Sequence, residues 1–267
     1  MNDYPIRVGS MLFTMVDPER GHEVAYNRWY ERDHFYAGCM VGPWLFAGKR
    51  WVATRELKDL RFPDESPVAV PVDAGSYLAV YWVHEGHHGD HFEWARRQVF
   101  ELYSDGRGFD HRTHAHTVLL DDPWSHYRDP DPVPIELSLD HPYRGLAVVA
   151  VDPADGVDSD DLDAHLRETA LPALMNDSPV ASMVSWSYID SSRGDTKNAP
   201  MDLGTPPGPP ERQLQLFFID DEPGLPTWDR FRDYSSELLA SGKGSVVFAA
   251  PFIPTVVGTD EYTAELW

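Results

Sequence analysis

Twelve histidines are spread unevenly along this 267-residue chain: eleven precede residue 142, and only His165 follows it. Imidazole is the side chain best placed to exchange protons near neutral pH, so this crowding points to the first half for chemistry. His34 is the leading candidate. It closes the run Trp29-Tyr30-Glu31-Arg32-Asp33-His34 at the end of an expected helix. There the negative end of the helix dipole and the carboxylates of Glu31 and Asp33 favour its protonated form. Tyr30 lies at i−4 on the same helical face, so the two can share a substrate oxygen, and Arg50 would orient or polarise that oxygen. The plainer reading of His34 is a helix-end histidine with a structural partner.

His114 and His116 form a second pair. In an unbroken strand, residues i and i+2 point to one face, which predicts that His114, His116 and Val118 share a side. His84 ends the strand face that carries Leu78, Val80 and Trp82, and either it or His116 would serve as a second proton carrier. The surrounding His84–His91 run, HEGHHGDH, has the look of a metal site. It falls, however, in a strand-to-helix turn and lacks a matched carboxylate–histidine motif, so no metal is assigned. Trp29, Tyr81, Trp82 and His114 are expected to line an aromatic pocket. Gly-x-Ser-x-Gly, a phosphate-cradling glycine loop and a dinucleotide fingerprint are all absent, so no organic cofactor is expected. Cys39 is the lone cysteine, which excludes an internal disulfide framework.

The elements that must carry these residues repeat. At an offset of 136 positions, residues 77–84 lie over 213–220, Phe92-Glu93 over Trp228-Asp229, and Gly42-Pro43 over Ser178-Pro179. At the same offset His34 meets Ala170. Each copy reads strand, helix, strand, long loop, strand, helix, strand. In the first copy the strands are 8–15, 44–54, 76–84 and 114–120, with helices at 23–35 and 90–103. In the second the strands are 145–151, 180–189, 214–219 and 245–252, with helices at 160–174 and 228–239. The loop 191–211 is so rich in Pro and Gly that it must be mobile or a lid. Such β-α-β-β-α-β units are ferredoxin-like, and two in one chain can cover each other's bare sheet faces. The expected fold is α+β, with antiparallel sheets face to face and helices outside. The expected units are 1–120, bearing the site, and 144–267, a scaffold, joined by a linker at 121–143.

Composition narrows the partners. With 22 basic and 44 acidic residues the formal charge is −22, which repels nucleic acids and anionic membranes. No run of ~20 apolar residues is present to span a bilayer. No basic-then-apolar leader opens the sequence, so a cytoplasmic location is expected.

The run Trp29-Tyr30-Glu31-Arg32-Asp33-His34-Phe35, followed by Gly42 and the strand ending Lys49-Arg50-Trp51, resembles the dimeric α/β-barrel superfamily, and within it the EthD-like proteins. Tyr36 stands where that family usually has Pro, and Gly42-Pro43 reverses its usual turn order. The second copy keeps Leu171-Pro172 but has Ala170 in place of the histidine. The resemblance implies a cofactor-independent enzyme on an aromatic or polyketide-like molecule: a cyclase, lyase, isomerase or monooxygenase. Two other readings stay open, a carrier of hydrophobic ligands without turnover and a haem-binding tandem barrel. The expected partner is a small hydrophobic or aromatic molecule, and a homodimer is left open.

Overall fold

The computed structural model describes residues 5–189 and 199–267. The first copy consists of β1 (Val8–Pro18), α1 (Glu23–Trp29), β2 (Leu45–Val52), the single turn α2 (Arg55–Lys58), β3 (Tyr77–His84), α3 (His88–Ser104) and β4 (Arg112–Tyr127). The second comprises β5 (Gly145–Pro153), α4 (Ser159–His165), α5 (Leu171–Met175), β6 (Val180–Tyr188), β7 (Gln213–Ile219), α6 (Leu225–Ala240) and β8 (Gly244–Pro254). Asp158 opens α4 by accepting a hydrogen bond from the Asp161 amide at 2.8 Å, as expected of a capping carboxylate.

Both copies place their third strand between the first two and their fourth strand outside the first, all antiparallel. The two sheets do more than face each other. Their edges join into one closed eight-stranded barrel, β1-β3-β2-β8-β5-β7-β6-β4. Closure removes the exposed edges that either sheet would have alone. One seam is short, with only Trp51 and Val52 pairing with Pro254 and Ile253. The other is longer, because β4 continues to Tyr127 and pairs with β6 from Leu120 onward. The strand therefore crosses into the segment expected to be linker.

Alternation along each strand sorts side chains to two sides. Met11, Phe13 and Met15 of β1, Leu78, Val80 and Trp82 of β3, and Trp186, Phe218, Phe248 and Phe252 of the second copy are all buried in one core. That core fills the barrel. The opposite faces pack under the helices: Tyr77, Ala79 and Tyr81 with Tyr26 and Tyr30 in the first copy, and Val149, Phe217 and Ile219 with Leu162, Leu166, Trp228 and Phe231 in the second. At about 25 cal/mol per Å² of apolar area, these layers outweigh any single polar contact.

The first helix runs further than the sequence pattern suggests. α1 passes without a break into a π-helical stretch, Tyr30–Met40, a rare winding often found at functional sites. Gly38 permits it, since a Cβ there would lie 2.9 Å from the His34 ring.

Candidate functional site

Between the helix-facing side of the first sheet and its helices lies a cavity of about 160 Å³. Its floor is Leu12, Thr14 and Val16 of β1 with Arg112, His114, Thr117 and Leu119 of β4; Tyr30, His34 and Cys39 come from the α1–π-helix, and α3 adds Phe92, Ala95, Arg96, Val99 and Phe100. Residues 199–203 of the second copy cover it.

A β-bulge decides which histidine reaches this cavity. Met15 pairs with His116 and Val16 with His114, so Ala115 is an extra residue in β4. The extra residue puts His114 and His116 on opposite faces. His114 joins Val16 and Thr117 at the cavity, whereas His116 turns into the barrel beside Phe13. The shared face expected of the pair is thus corrected, and His116 does not line the cavity. The bulge also frees main-chain groups. The Ala115 carbonyl accepts from the Thr205 amide at 3.0 Å, and the Thr117 amide donates to the Leu203 carbonyl at 2.9 Å. The covering segment is pinned to β4 where its ladder with β1 is interrupted. His116 adds to the pin. Its Nδ1–H donates to the Thr205 carbonyl at 3.0 Å, which leaves Nε2 to accept from the Tyr188 hydroxyl at 3.3 Å. Burial pushes its pKa down to about 4.

His114 is held neutral by its partners. Arg112 Nε can only donate, and it does so to His114 Nε2 at 3.2 Å. The proton therefore sits on Nδ1 and is donated to Thr117 Oγ1 at 2.7 Å. The Thr117 hydroxyl in turn meets Thr14 Oγ1 at 2.7 Å. Burial first, and the adjacent Arg112 charge second, push the His114 pKa to about 3.

His34 differs. It has no hydrogen-bond partner among the described residues; its ring stacks on Trp29 with centroids 4.5 Å apart and meets the edge of Tyr30. Burial first, then the Arg112 charge, lower its pKa to about 3. Asp33 opposes the shift, but its carboxylate is engaged by Arg107. The protonated imidazole expected from a helix end is thus corrected: the helix goes on for another turn and a half, and desolvation replaces the dipole. Tyr30 also lines the cavity, and its hydroxyl meets that of Tyr81 at 2.8 Å. Burial raises the pKa of both phenols and pushes the Cys39 thiol up to about 12, so all three stay protonated.

The other expected site residues stand around the cavity or away from it. Tyr81 lies behind Tyr30, and Trp29 backs His34 while donating Nε1–H to the Arg107 carbonyl at 2.8 Å. Arg50 is 5% exposed and bound to Asn27 and Glu31; its guanidinium lies 4.6 Å from the Tyr30 ring, where it supports that ring instead of meeting a ligand. Trp82 is in the barrel core, donating to the Ile135 carbonyl. His84 stands past the rim beside Trp44 and His87. Both were placed on the pocket by the strand face 78-80-82, which is the barrel side.

In the HEGHHGDH run, His87 stacks on Trp44, His88 meets Ser10 and His91 donates to the Pro43 carbonyl at 2.7 Å, so these rings do not converge. Among the described residues, Glu19, His22 and His111 are the histidine–carboxylate group close enough to share an ion. Arg112, Thr14 and Thr117 went unnoticed in the sequence, although Arg112 and His114 sit at i, i+2 of one strand. The covering segment, some 90 residues away in the chain, had no such signal. Residues 191–198 of the expected lid lie outside the described residues.

No family model and no curated protein matches the chain. Among solved structures it is similar to a candidate chlorite dismutase, with 12% identity over 97% of this chain and 98% of that one and a TM-score of 0.53. It is also similar to a Rhodococcus jostii RHA1 DypB variant in complex with heme, with 10% identity over 93% of each chain and a TM-score of 0.51. At such identity the likeness is one of fold.

Proposed function

From a chain built as a dimeric α/β barrel of two fused ferredoxin-like units, we propose that the first-unit cavity is the active site of an enzyme that removes a proton from a small aromatic molecule, with His34 as the acceptor. The observation that carries this is His34 itself, a neutral imidazole in an apolar cavity with no protein group occupying its nitrogens. His114, by contrast, has both nitrogens committed and acts by orientation. Tyr30, Trp29 and Gly38 fix the His34 ring, and the protonated Tyr30 hydroxyl is a hydrogen-bond donor at the cavity wall. Arg112 supplies positive potential where negative charge develops as the proton leaves. Proton removal is the step common to isomerisation, elimination, cyclisation and cofactor-free oxygenation, and the cavity favours none of these over the rest.

Haem, which DypB binds, fits the residues of this chain poorly. In the second unit the space under the helices is filled by Leu162, Leu166, Leu171, Trp228, Phe231 and Leu238, all buried. His165, in the last turn of α4, is half-buried. The first-unit cavity of about 160 Å³ is near the ~150 Å³ that accommodates one benzene, too little for a macrocycle. No step of the proposed chemistry runs through haem.

The test does not require the natural substrate. One-ring aromatic ketones and acids with a C–H beside a carbonyl are incubated with the protein in D2O, and deuterium uptake is followed by NMR. The wild type should catalyse exchange, and His34→Asn should slow it roughly 10²–10⁴-fold. Equal rates for the two proteins would overturn the role of His34.

A further inference from the structure

We infer that the cavity's ligand is a single-ring aromatic molecule carrying an anionic oxygen group, recognised by the Arg112 guanidinium; this rests on the cavity being the functional site. Two arginines, Arg112 and Arg96, line the cavity. Neither has a carboxylate within salt-bridge distance among the described residues, although the chain carries 44 acidic side chains. Arg28, Arg50, Arg55, Arg107, Arg128 and Arg212 have carboxylate partners, whereas Arg61, buried without one among the described residues, is met by the carbonyls of Val72, Ala74 and Gly75.

Arg112 is instead held by neutral groups. Nε donates to His114, Nη2 donates to the Tyr103 hydroxyl at 2.6 Å, and the guanidinium carbon lies 4.6 Å from the Trp29 ring. Nη1 is buried and has no acceptor. Arginine does not lose its proton, so Arg112 keeps its positive charge with no carboxylate within salt-bridge distance among the described residues. Unpaired charge and unmet donors in an apolar enclosure are costly. A ligand that brings a carboxylate or phenolate oxygen to the guanidinium offsets both costs with one charge-assisted hydrogen bond.

The rest of the wall defines the remainder of the ligand. Leu12, Val16, Val99, Phe100 and Leu119 are apolar, and the volume is that of about one aromatic ring. Arg96 is exposed on α3, with its charge at the cavity's outer margin, where it attracts an approaching anion in an otherwise acidic protein.

Calorimetric titration with benzoate and its neutral isostere benzamide, at neutral pH, tests this without any variant. Benzoate should bind at least about tenfold more tightly, the ratio expected for one charge-assisted hydrogen bond. Arg112→Met should abolish that preference, while Arg112→Lys, which keeps the charge and loses the fork, should retain part of it; thermal unfolding confirms that each variant is folded. Equal affinity for the two probes, no binding of either, or a benzoate preference that survives in folded Arg112→Met would each overturn the assignment. The same titration on His34→Asn should still favour benzoate. A His34→Asn protein with normal exchange activity would sink the proton-acceptor role while leaving the anion site standing, so the two failures are distinguishable.

Discussion

Lowering the pH from 6.5 to 4.5 should unload a large part of this protein's stability through histidines that the fold keeps neutral. His34 and His114 have folded pKa values of about 3, and His116 of about 4, against about 6.5 in an unfolded chain. Each value is depressed on folding, so the stabilisation is complete above about pH 6.5 and is lost as the pH falls toward the folded value. Between those limits the unfolded chain binds one more proton per histidine. The slope is about 1.4 kcal/mol per pH unit, and the loss from pH 6.5 to 4.5 comes to about 2 kcal/mol per ring. His34 and His114 act on each other, so their losses do not simply add, yet even one ring's share is a sizeable part of the roughly 5–15 kcal/mol typical of a folded chain. The decisive comparison is wild type against His34→Asn, with urea unfolding at pH 7.0, 5.5 and 4.5. Contributions from carboxylates largely cancel in that difference. At pH 7 the variant should be the less stable, having lost the stacking on Trp29. By pH 4.5 the gap should have closed by about 2 kcal/mol, because the variant no longer has a proton to take up at position 34. Parallel pH profiles would mean that His34 is solvated and titrates normally, and the argument for a neutral acceptor would fall with it.

Other changes probe single links of the argument. Gly38→Ala should displace the His34 ring, because the new methyl would lie 2.9 Å from it; a cost of about 1–3 kcal/mol in thermal unfolding should accompany slower deuterium exchange. Thr117→Val removes the acceptor for the His114 Nδ1–H, leaving a buried donor unmet at about 1–3 kcal/mol, measurable in the urea midpoint. Thr205→Val takes away the side-chain oxygen that meets His116 Nδ1 at 2.7 Å, and should loosen the cavity cover, read as faster amide exchange at Thr117 and Thr205. His165→Ala, in the second copy and away from the cavity, should leave both exchange activity and benzoate binding unchanged; a loss in either assay would place function in the wrong half.

The elements were largely legible in the chain because they depend on local periodicity. Tyr77–His84 and Gln213–Ile219 are strands in both readings, and the offset between them survives in the barrel. The candidate site was harder to read. His34, Tyr30 and His114 were visible as titratable groups at helical or strand spacing, and all three line the cavity. Trp82 and His84 were chosen from the apolar face 78-80-82. Alternation shows that such a face exists, yet it cannot tell which of two buried faces meets helices and which meets the other sheet. The helix through Tyr30 was expected to stop at Phe35, whereas it winds on to Met40, and packing of the His34 ring needs the space that Gly38 leaves.

By itself, the sequence determined that two ferredoxin-like copies are present and that eleven of the twelve histidines precede residue 142. Those features follow from composition and from contacts a few residues apart. Only the tertiary structure decided that one extra residue, Ala115, sends His114 to the cavity and His116 to the barrel. It alone brought residues 199–205 across from the second copy as a cover, and set Arg112 beside His34 with no carboxylate in salt-bridge distance of Arg112 among the described residues. The reason is physical. A bulge is defined by its partner strand, a cover by main-chain groups nearly a hundred residues away, and a depressed pKa by exclusion of water, none of which exists until the chain has closed on itself.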